Sequence, residues 1–336
     1  MSATARPATA QLESLLALGG PHLARRLALA EERLGEIAES HGPGLGRHAA
    51  STLGAGGKRL RPLVVFLCAG PRASRHAVAA AVAVELVHMA TLVHDDVLDR
   101  AALRRGRTTV FKAAGREAAT STGDYLFSRA FAELVATGHP EAVRTLSDAS
   151  SALARGELMQ RGDAWSGEVT AERYIRRCEL KTAALFDAAC RLGALFAGLT
   201  NGSVPRAVEP LGAFGARIGV AFQILDDVLD VSGPPERTGK HRGTDLLDGT
   251  ITLPLILARE RDPELRSLNL REAVTTPAQA DALCDRIALT GALADSREEA
   301  LRHVADAKAA LSELEMPELQ RRALELVADG VVERYA

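Results

Sequence analysis

Apolar residues recur at three- and four-residue spacing along most of this chain, the period of a helix with one buried face. In residues 9–54 the repeat runs through Leu12, Leu15, Leu16, Leu23, Leu27, Leu34 and Ile37, with breaks at Pro21 and at His41-Gly42-Pro43-Gly44. Prolines are absent from Arg72 to His139 and again from Glu141 to Val204. Gaps of that length with continuous helical patterning predict a stack of long helices. They are placed at His76 to His94, then about 117–136, 141–161 and 170–199, and from Arg206 through Leu225. From Leu253 onward amphipathic helices follow, punctuated by Pro263, Pro277 and Pro317. Strand-like alternation is not evident, so the pattern predicts an all-α, single-domain bundle of about ten or more helices over residues 1–336. Residues 1–8 read as a disordered tail.

The polar exceptions to this pattern carry the chemistry. Asp95-Asp96-Val97-Leu98-Asp99 closes one long apolar segment, and the same five letters return as Asp226-Asp227-Val228-Leu229-Asp230 at the end of another. On a helix, residues i and i+4 share a face, so Asp95 and Asp99 point one way, as do Asp226 and Asp230. Stacked carboxylates near an apolar core repel unless a cation sits between them. Mg²⁺ takes oxygen ligands, commonly one or two carboxylates together with phosphate oxygens and water. A solvated helix face explains one such motif readily, and two copies much less so.

Three groups of cations accompany the carboxylates. Gly54-Ala55-Gly56-Gly57 leads into three cations, Lys58, Arg59 and Arg61; Lys58 with Arg61 offers a point charge and a bidentate fork for phosphate oxygens on a loop that lets the backbone come close. Arg100, Arg104, Arg105 and Arg107 follow the first aspartate cluster, with Gly106 as a turn. Lys181-Thr182 interrupts an apolar helix face, and a buried lysine wants an anionic partner. Gln223 precedes the second cluster as either a core amide or a ligand. Gly212, Gly215 and Gly219 are spaced for close helix–helix approach. The loop 232–248 carries Lys240 and reads as a surface loop or a lid.

Composition narrows the picture. Hydrophobic residues make up 47% and charged residues 25% of the 336, with aromatics at 4% and a formal net charge of −2. That balance supports a globular core and gives no general attraction to nucleic acid or an anionic membrane. Cys68, Cys178, Cys190 and Cys284 form neither a CxxC nor a zinc spacing, which suits a reducing cytoplasm. The apolar run Ala77 to Val93 is interrupted by Glu85 and His88, so it reads as a core helix and not a transmembrane span. Carboxylates that grip Mg²⁺ and cations that act without metal are two ways to hold a diphosphate, and both are here. The walls between them are Ala, Leu, Val and Phe, suited to an apolar tail and a carbocation kept from water.

These residues, in order and spacing, resemble the trans-polyprenyl diphosphate synthases of the isoprenoid synthase fold over nearly the whole chain. The match runs through Gly57 to Pro62, His88 to Asp99, Arg104-Arg105, Gly123-Asp124, Lys181-Thr182, Phe222 to Asp230, Gly239-Lys240 and Gly243 to Leu246. The resemblance implies a bundle around a central apolar cavity and a cytoplasmic homodimer without a transmembrane segment, with at most transient membrane contact for product release. By it, Asp95 and Asp99 (Asp96 in support) and Asp226 with Asp230 (beside Asp227) hold Mg²⁺, about three ions per site. Arg104, Lys181, Thr182, Gln223 and Lys240 contact the allylic diphosphate, and Lys58, Arg61, His88 and Arg105 hold isopentenyl diphosphate. The reaction is ionisation of the allylic substrate, attack by the isopentenyl double bond and loss of a proton, repeated until the chain meets a floor. One departure stands out: Thr250 lies where many relatives carry a lysine.

Short-chain relatives plug the tail tunnel with aromatics four and five residues before the first aspartate. Here those positions are Thr91 and Ala90, about 6–7.5 Å down the helix at ~1.5 Å per residue. A deep tunnel and a medium- or long-chain product follow, with Phe127 and Phe131 as deeper stops. The rivals are a class I terpene cyclase, which would not need a second diphosphate site, and a non-catalytic subunit, which would have lost aspartates. A catalytic subunit that requires a small partner is a variant of the main reading.

Overall fold

The structure is a computed structural model that describes residues 6–54, 59–104, 106–197, 206–233 and 241–333. The helices expected from periodicity form, with refinements where a single residue redirects the backbone. Helix α1 (Arg6–Glu39) turns at Gly20, whose φ of 68° is a conformation glycine tolerates, just ahead of Pro21. It starts inside the stretch read as a tail, of which residues 1–5 lie outside the described residues. After α2 (Pro43–Leu53) and α3 (Leu60–Ala69) comes α4 (His76–Leu98), which is apolar on all sides and buried accordingly.

A hairpin of two-residue strands, Leu103–Arg104 and Arg107–Thr108, links α4 to α5 (Val110–Val135). Gly106 at φ 74° makes the turn. The sequence showed no strand because two residues a side carry no alternation to read. Thr109 caps α5 by accepting the Lys112 N–H, and the helix starts seven residues earlier than its periodicity suggested, bending at Gly115. Helix α6 (Pro140–Asp163) packs next, followed by α7 (Ala171–Cys178).

The segment expected as one helix from 170 to 199 is three pieces. Between α7 and α8 (Ala184–Leu195), residues Glu179–Ala183 form a π-helical turn. Such a one-residue bulge in an α-helix is common at functional sites, and Lys181 and Thr182 sit inside it. Helix α9 (Val208–Ser232) carries the second aspartate cluster. The rest of the chain is the short α10 (Thr244–Leu247) and then helices spanning Leu253–Arg261, Pro263–Ser267, Leu270–Ala273, Pro277–Leu289, Ala292–Ser312 and Glu318–Glu333.

One apolar cluster runs from Leu15 to Val331. Helices α4 and α9 have the length and hydropathy of membrane spans, yet they are the buried centre of this core. The glycine row on α9 does what its spacing suggested. A Cβ at Gly215 would lie 2.5 Å from the Phe186 carbonyl oxygen, and one at Gly219 would lie 2.5 Å from the Ala183 Cα. Helix α9 thus meets α8 and the π turn backbone to backbone. Gly215→Leu, in circular-dichroism melts, is expected to cost about 1–3 kcal/mol of stability, because the carbonyl it meets cannot swing aside.

Candidate active site

The first aspartate cluster sits on the last turn of α4. Asp96 turns inward, 5% exposed, and accepts a 2.6 Å hydrogen bond from Arg104 Nε on the hairpin. Asp95 is largely enclosed, and burial pushes its carboxyl up to about 6 from the usual 3.8. Lys181 and Arg104 pull that value down, while Glu157 and Asp99 push it up. Asp99 caps the helix in the open, where Arg161 Nη2 donates to its Oδ1 at 3.1 Å. The same Arg161 donates to Glu157 Oε1 at 2.8 Å, and Glu157 Oε2 lies 2.5 Å from Lys181 Nζ. Two cations and three carboxylates therefore alternate along one wall of the site.

The second cluster joins the first through the π turn. Thr182 Oγ1 donates to Gln223 Oε1 at 2.6 Å, and Gln223 Nε2 donates to Asp227 Oδ1 at 2.7 Å. Tyr174, fully buried on α7, donates its hydroxyl to Asp227 Oδ2 at 2.7 Å. Burial, with Asp245 nearby, lifts Asp227 to about 8, and the bonds from Tyr174 and Gln223 hold it back. Asp227 is thus committed to the protein interior. Its neighbours differ: Asp226 is exposed, and Asp230 is partly exposed and accepts the Asp245 N–H at 3.2 Å.

Of the cations expected around isopentenyl diphosphate, Arg61 and His88 are in view. The Arg61 guanidinium lies 4.5 Å from the Phe186 ring centroid, and His88 is partly exposed on α4. Lys58, Arg105 and Lys240 lie outside the described residues. Lys181, Thr182 and Gln223 lie within the chain of contacts from Asp99 to Asp227, and Arg104 is held by Asp96. Thr250 is seated by its N–H on the Asp245 carbonyl, and Gly249 at φ 72° packs against Trp165. That end of the loop is fixed without a lysine.

Ala90 is fully buried, and Thr91 turns its hydroxyl onto the His88 carbonyl at 2.7 Å, leaving no polar demand on the wall. Helix α5 runs back along α4, with Gly123 leaving room for the His94 ring. Phe127 stacks on His94 at 5.8 Å between centroids. One helical turn beyond Gly123, Phe127 stands at about the level of Ala90, and Phe131 a turn deeper.

Sequence reasoning missed Glu157, Arg161 and Tyr174. The only trace of Glu157 was Gly156 beside it, where a Cβ would lie 2.5 Å from the Lys181 backbone nitrogen. Tyr174 stands seven residues before Lys181 with nothing in the chain to mark it.

The all-α fold and the two linked carboxylate clusters with their flanking cations are those of a polyprenyl synthase, the class of the similar solved structures. The family model described as polyprenyl synthetase matches residues 43–288, and the chain belongs to that family. Heptaprenyl diphosphate synthase component 2 of Geobacillus stearothermophilus is 43% identical over 69% of this chain and 72% of that protein. Nonaprenyl diphosphate synthase of Mycobacterium tuberculosis is 38% identical over 84% of each. Among solved structures, a Caulobacter crescentus polyprenyl synthase complexed with calcium and isoprenyl diphosphate has a TM-score of 0.87 at 34% identity, covering 96% of this chain and 98% of that one. The chain is a prenyltransferase of the polyprenyl diphosphate synthase type.

Proposed function

We propose that this enzyme condenses isopentenyl diphosphate with an allylic diphosphate (dimethylallyl, geranyl, farnesyl or geranylgeranyl) to give an all-trans polyprenyl diphosphate of medium or long chain. The observation that carries the reading is the unbroken line of contacts from Asp99 through Arg161, Glu157 and Lys181 to Thr182, Gln223 and Asp227. That line ties the first aspartate cluster to the second through Arg161 and Lys181, which supports reading the two clusters as one site.

The donor set fits Mg²⁺. Every candidate ligand is an oxygen, and among the described residues no three carboxylates converge into a ready-made metal cage. A hard cation held by one or two carboxylates and completed by diphosphate oxygens matches that arrangement. Asp95, Asp99, Asp226 and Asp230 would hold the ions, while Asp96 and Asp227 orient the two helix ends from the interior. Bound Mg²⁺ supplies neutralisation of the charge that develops on the departing diphosphate. Lys181, Thr182, Gln223, Arg104 and Lys240 bind and orient the allylic diphosphate. Arg61, His88, Lys58 and Arg105 bind the isopentenyl diphosphate, and the apolar walls below Asp95 keep water from the cation.

The product length follows from Ala90 and Thr91, and relatives named for heptaprenyl and nonaprenyl products support it. Ala90→Phe is expected to shorten the product by several isoprene units, read by chromatography of the dephosphorylated alcohols. An unchanged length would show that the tail does not pass Ala90. The single core from Leu15 to Val331 supports a one-domain reading of residues 1–336, and four free, buried cysteines suit a cytoplasmic enzyme. A homodimer is the expected assembly. The words "component 2" in the Geobacillus relative's name favour a second reading, a catalytic subunit that needs a small partner. The test is incubation of the purified chain alone with Mg²⁺, labelled isopentenyl diphosphate and each allylic starter. Elongated products establish the reaction, and activity only on addition of a partner establishes the heteromer. Cyclised hydrocarbon would overturn the assignment.

A further inference from the structure

In the sequence the glycine-rich stretch leads into three cationic residues, and the middle one, Arg59, is tied to the protein. Arg59 is the residue before α3 and adopts φ 45°, ψ 38°, the left-handed region that a β-carbon disfavours. Its guanidinium makes four hydrogen bonds to the protein. Nε donates to Glu31 Oε1 on α1 at 2.5 Å, and Nη1 donates to Glu85 Oε1 on α4 at 2.8 Å. Nη2 donates to Glu31 Oε2 at 3.2 Å and to the Leu53 carbonyl at the end of α2 at 2.8 Å. One side chain thus ties the start of α3 to three other helices.

The position of Glu85 gives this knot its meaning. Glu85 is 3% exposed, and it lies three residues before His88, on the same face of α4. Arg61 follows Arg59 by two residues in the first turn of α3, its guanidinium over Phe186. The Arg59–Glu85 pair is therefore a part-buried polar link between the helix that presents Arg61 and the helix that presents His88. Each nitrogen of the Arg59 guanidinium is given to a protein acceptor.

We propose that Arg59 is a positioning residue for isopentenyl diphosphate: anchored on Glu85, Glu31 and the Leu53 carbonyl, it sets the distance between Arg61 and His88 without touching substrate. The inference rests on the assignment of Arg61 and His88 to the isopentenyl site. A bidentate fork and a helix-borne imidazole must share one diphosphate, so a shift of an ångström between their helices weakens both grips together. Lysine cannot stand in for Arg59, because one ammonium does not reach three acceptors in a fixed fork.

Calorimetric titration with isopentenyl diphosphate reads this without turnover, alongside the elongation assay and thermal melts. Arg59→Met is expected to weaken isopentenyl diphosphate binding by about tenfold to a hundredfold, with the KM for the allylic substrate within about twofold of wild type. Arg59→Lys falls between. Arg59→Met also strands the buried Glu85 carboxylate, so its melting temperature falls. Arg59→Met/Glu85→Leu removes the stranded charge: the melting temperature recovers and binding stays weak. Recovery of binding together with the melting temperature would overturn the proposal, as would an equal loss for both substrates. Wild-type protein that binds isopentenyl diphosphate and makes no elongated product would overturn the proposed reaction and leave the role of Arg59 standing. Wild-type protein that does not bind it would overturn both.

Discussion

Asp95→Asn is expected to lower the elongation rate by about a thousandfold, roughly 4 kcal/mol of barrier, and to raise the melting temperature of the metal-free protein at pH 8. The activity loss follows from the proposed role of Asp95 as an anionic oxygen ligand to Mg²⁺, since a metal's stabilisation of a leaving group is worth several kcal/mol. The stability gain follows from burial. The Asp95 carboxyl is pushed up to about 6 against an ordinary 3.8. Between those values the folded protein holds this proton more tightly than the unfolded chain, so unfolding free energy falls as pH rises. Above pH 6 the ionised carboxylate carries its full penalty, up to about 3 kcal/mol at 1.36 kcal/mol per unit. Asparagine cannot ionise and escapes it. Calorimetry in chelator should show the variant ahead of wild type at pH 8 and level with it near pH 4. A lower melting temperature at pH 8 would mean that Lys181 already compensates the charge. An enzyme whose site destabilises its own metal-free form is trading stability for affinity.

The aspartate pairs were legible because their signal is local. A five-residue motif on a helix fixes which carboxylates share a face, and its repetition at two helix ends needs no tertiary knowledge. The glycine row of α9 was legible for the same reason: spacing on one helix implies a neighbour, here the Phe186 and Ala183 backbone. Lys181 could be noticed as a cation on an apolar face, but its partner could not. Glu157 is one charged residue among many in the sequence of α6, and only packing brings it to Lys181. Tyr174 likewise reads as one more core aromatic until α7 sets it against Asp227. Arg104 was expected among the phosphate ligands. In the folded chain its Nε is given to Asp96. The π turn escaped because its hydrogen-bond shift has no compositional mark, although it is what turns Lys181 toward α6 and Thr182 toward α9.

Lys181→Met is expected to reduce kcat/KM for the allylic substrate by about a hundredfold to a thousandfold, the usual cost of one charge-stabilising contact. It should also move the acid limb of the pH–rate profile upward. Two effects of Lys181 are at stake. In the proposed reaction its ammonium binds the allylic diphosphate, and its positive charge lowers the proton affinity of Asp95. Methionine keeps the length of the side chain and removes both. Asp95 then faces Glu157 and Asp99 without that counter-charge, so its carboxyl rises above about 6. A larger share is protonated at pH 6.5, and the protonated form binds metal poorly. Glu157→Gln acts with the opposite sign: it takes away a like charge, lets the Asp95 carboxyl fall, and releases the Lys181 ammonium from a 2.5 Å ion pair. Its acid limb should move down with a modest change in plateau rate. Profiles of kcat/KM against pH at fixed free Mg²⁺ decide the matter. If the two variants shifted the limb in the same direction, the Glu157–Lys181 pair would not be what sets the charge of Asp95.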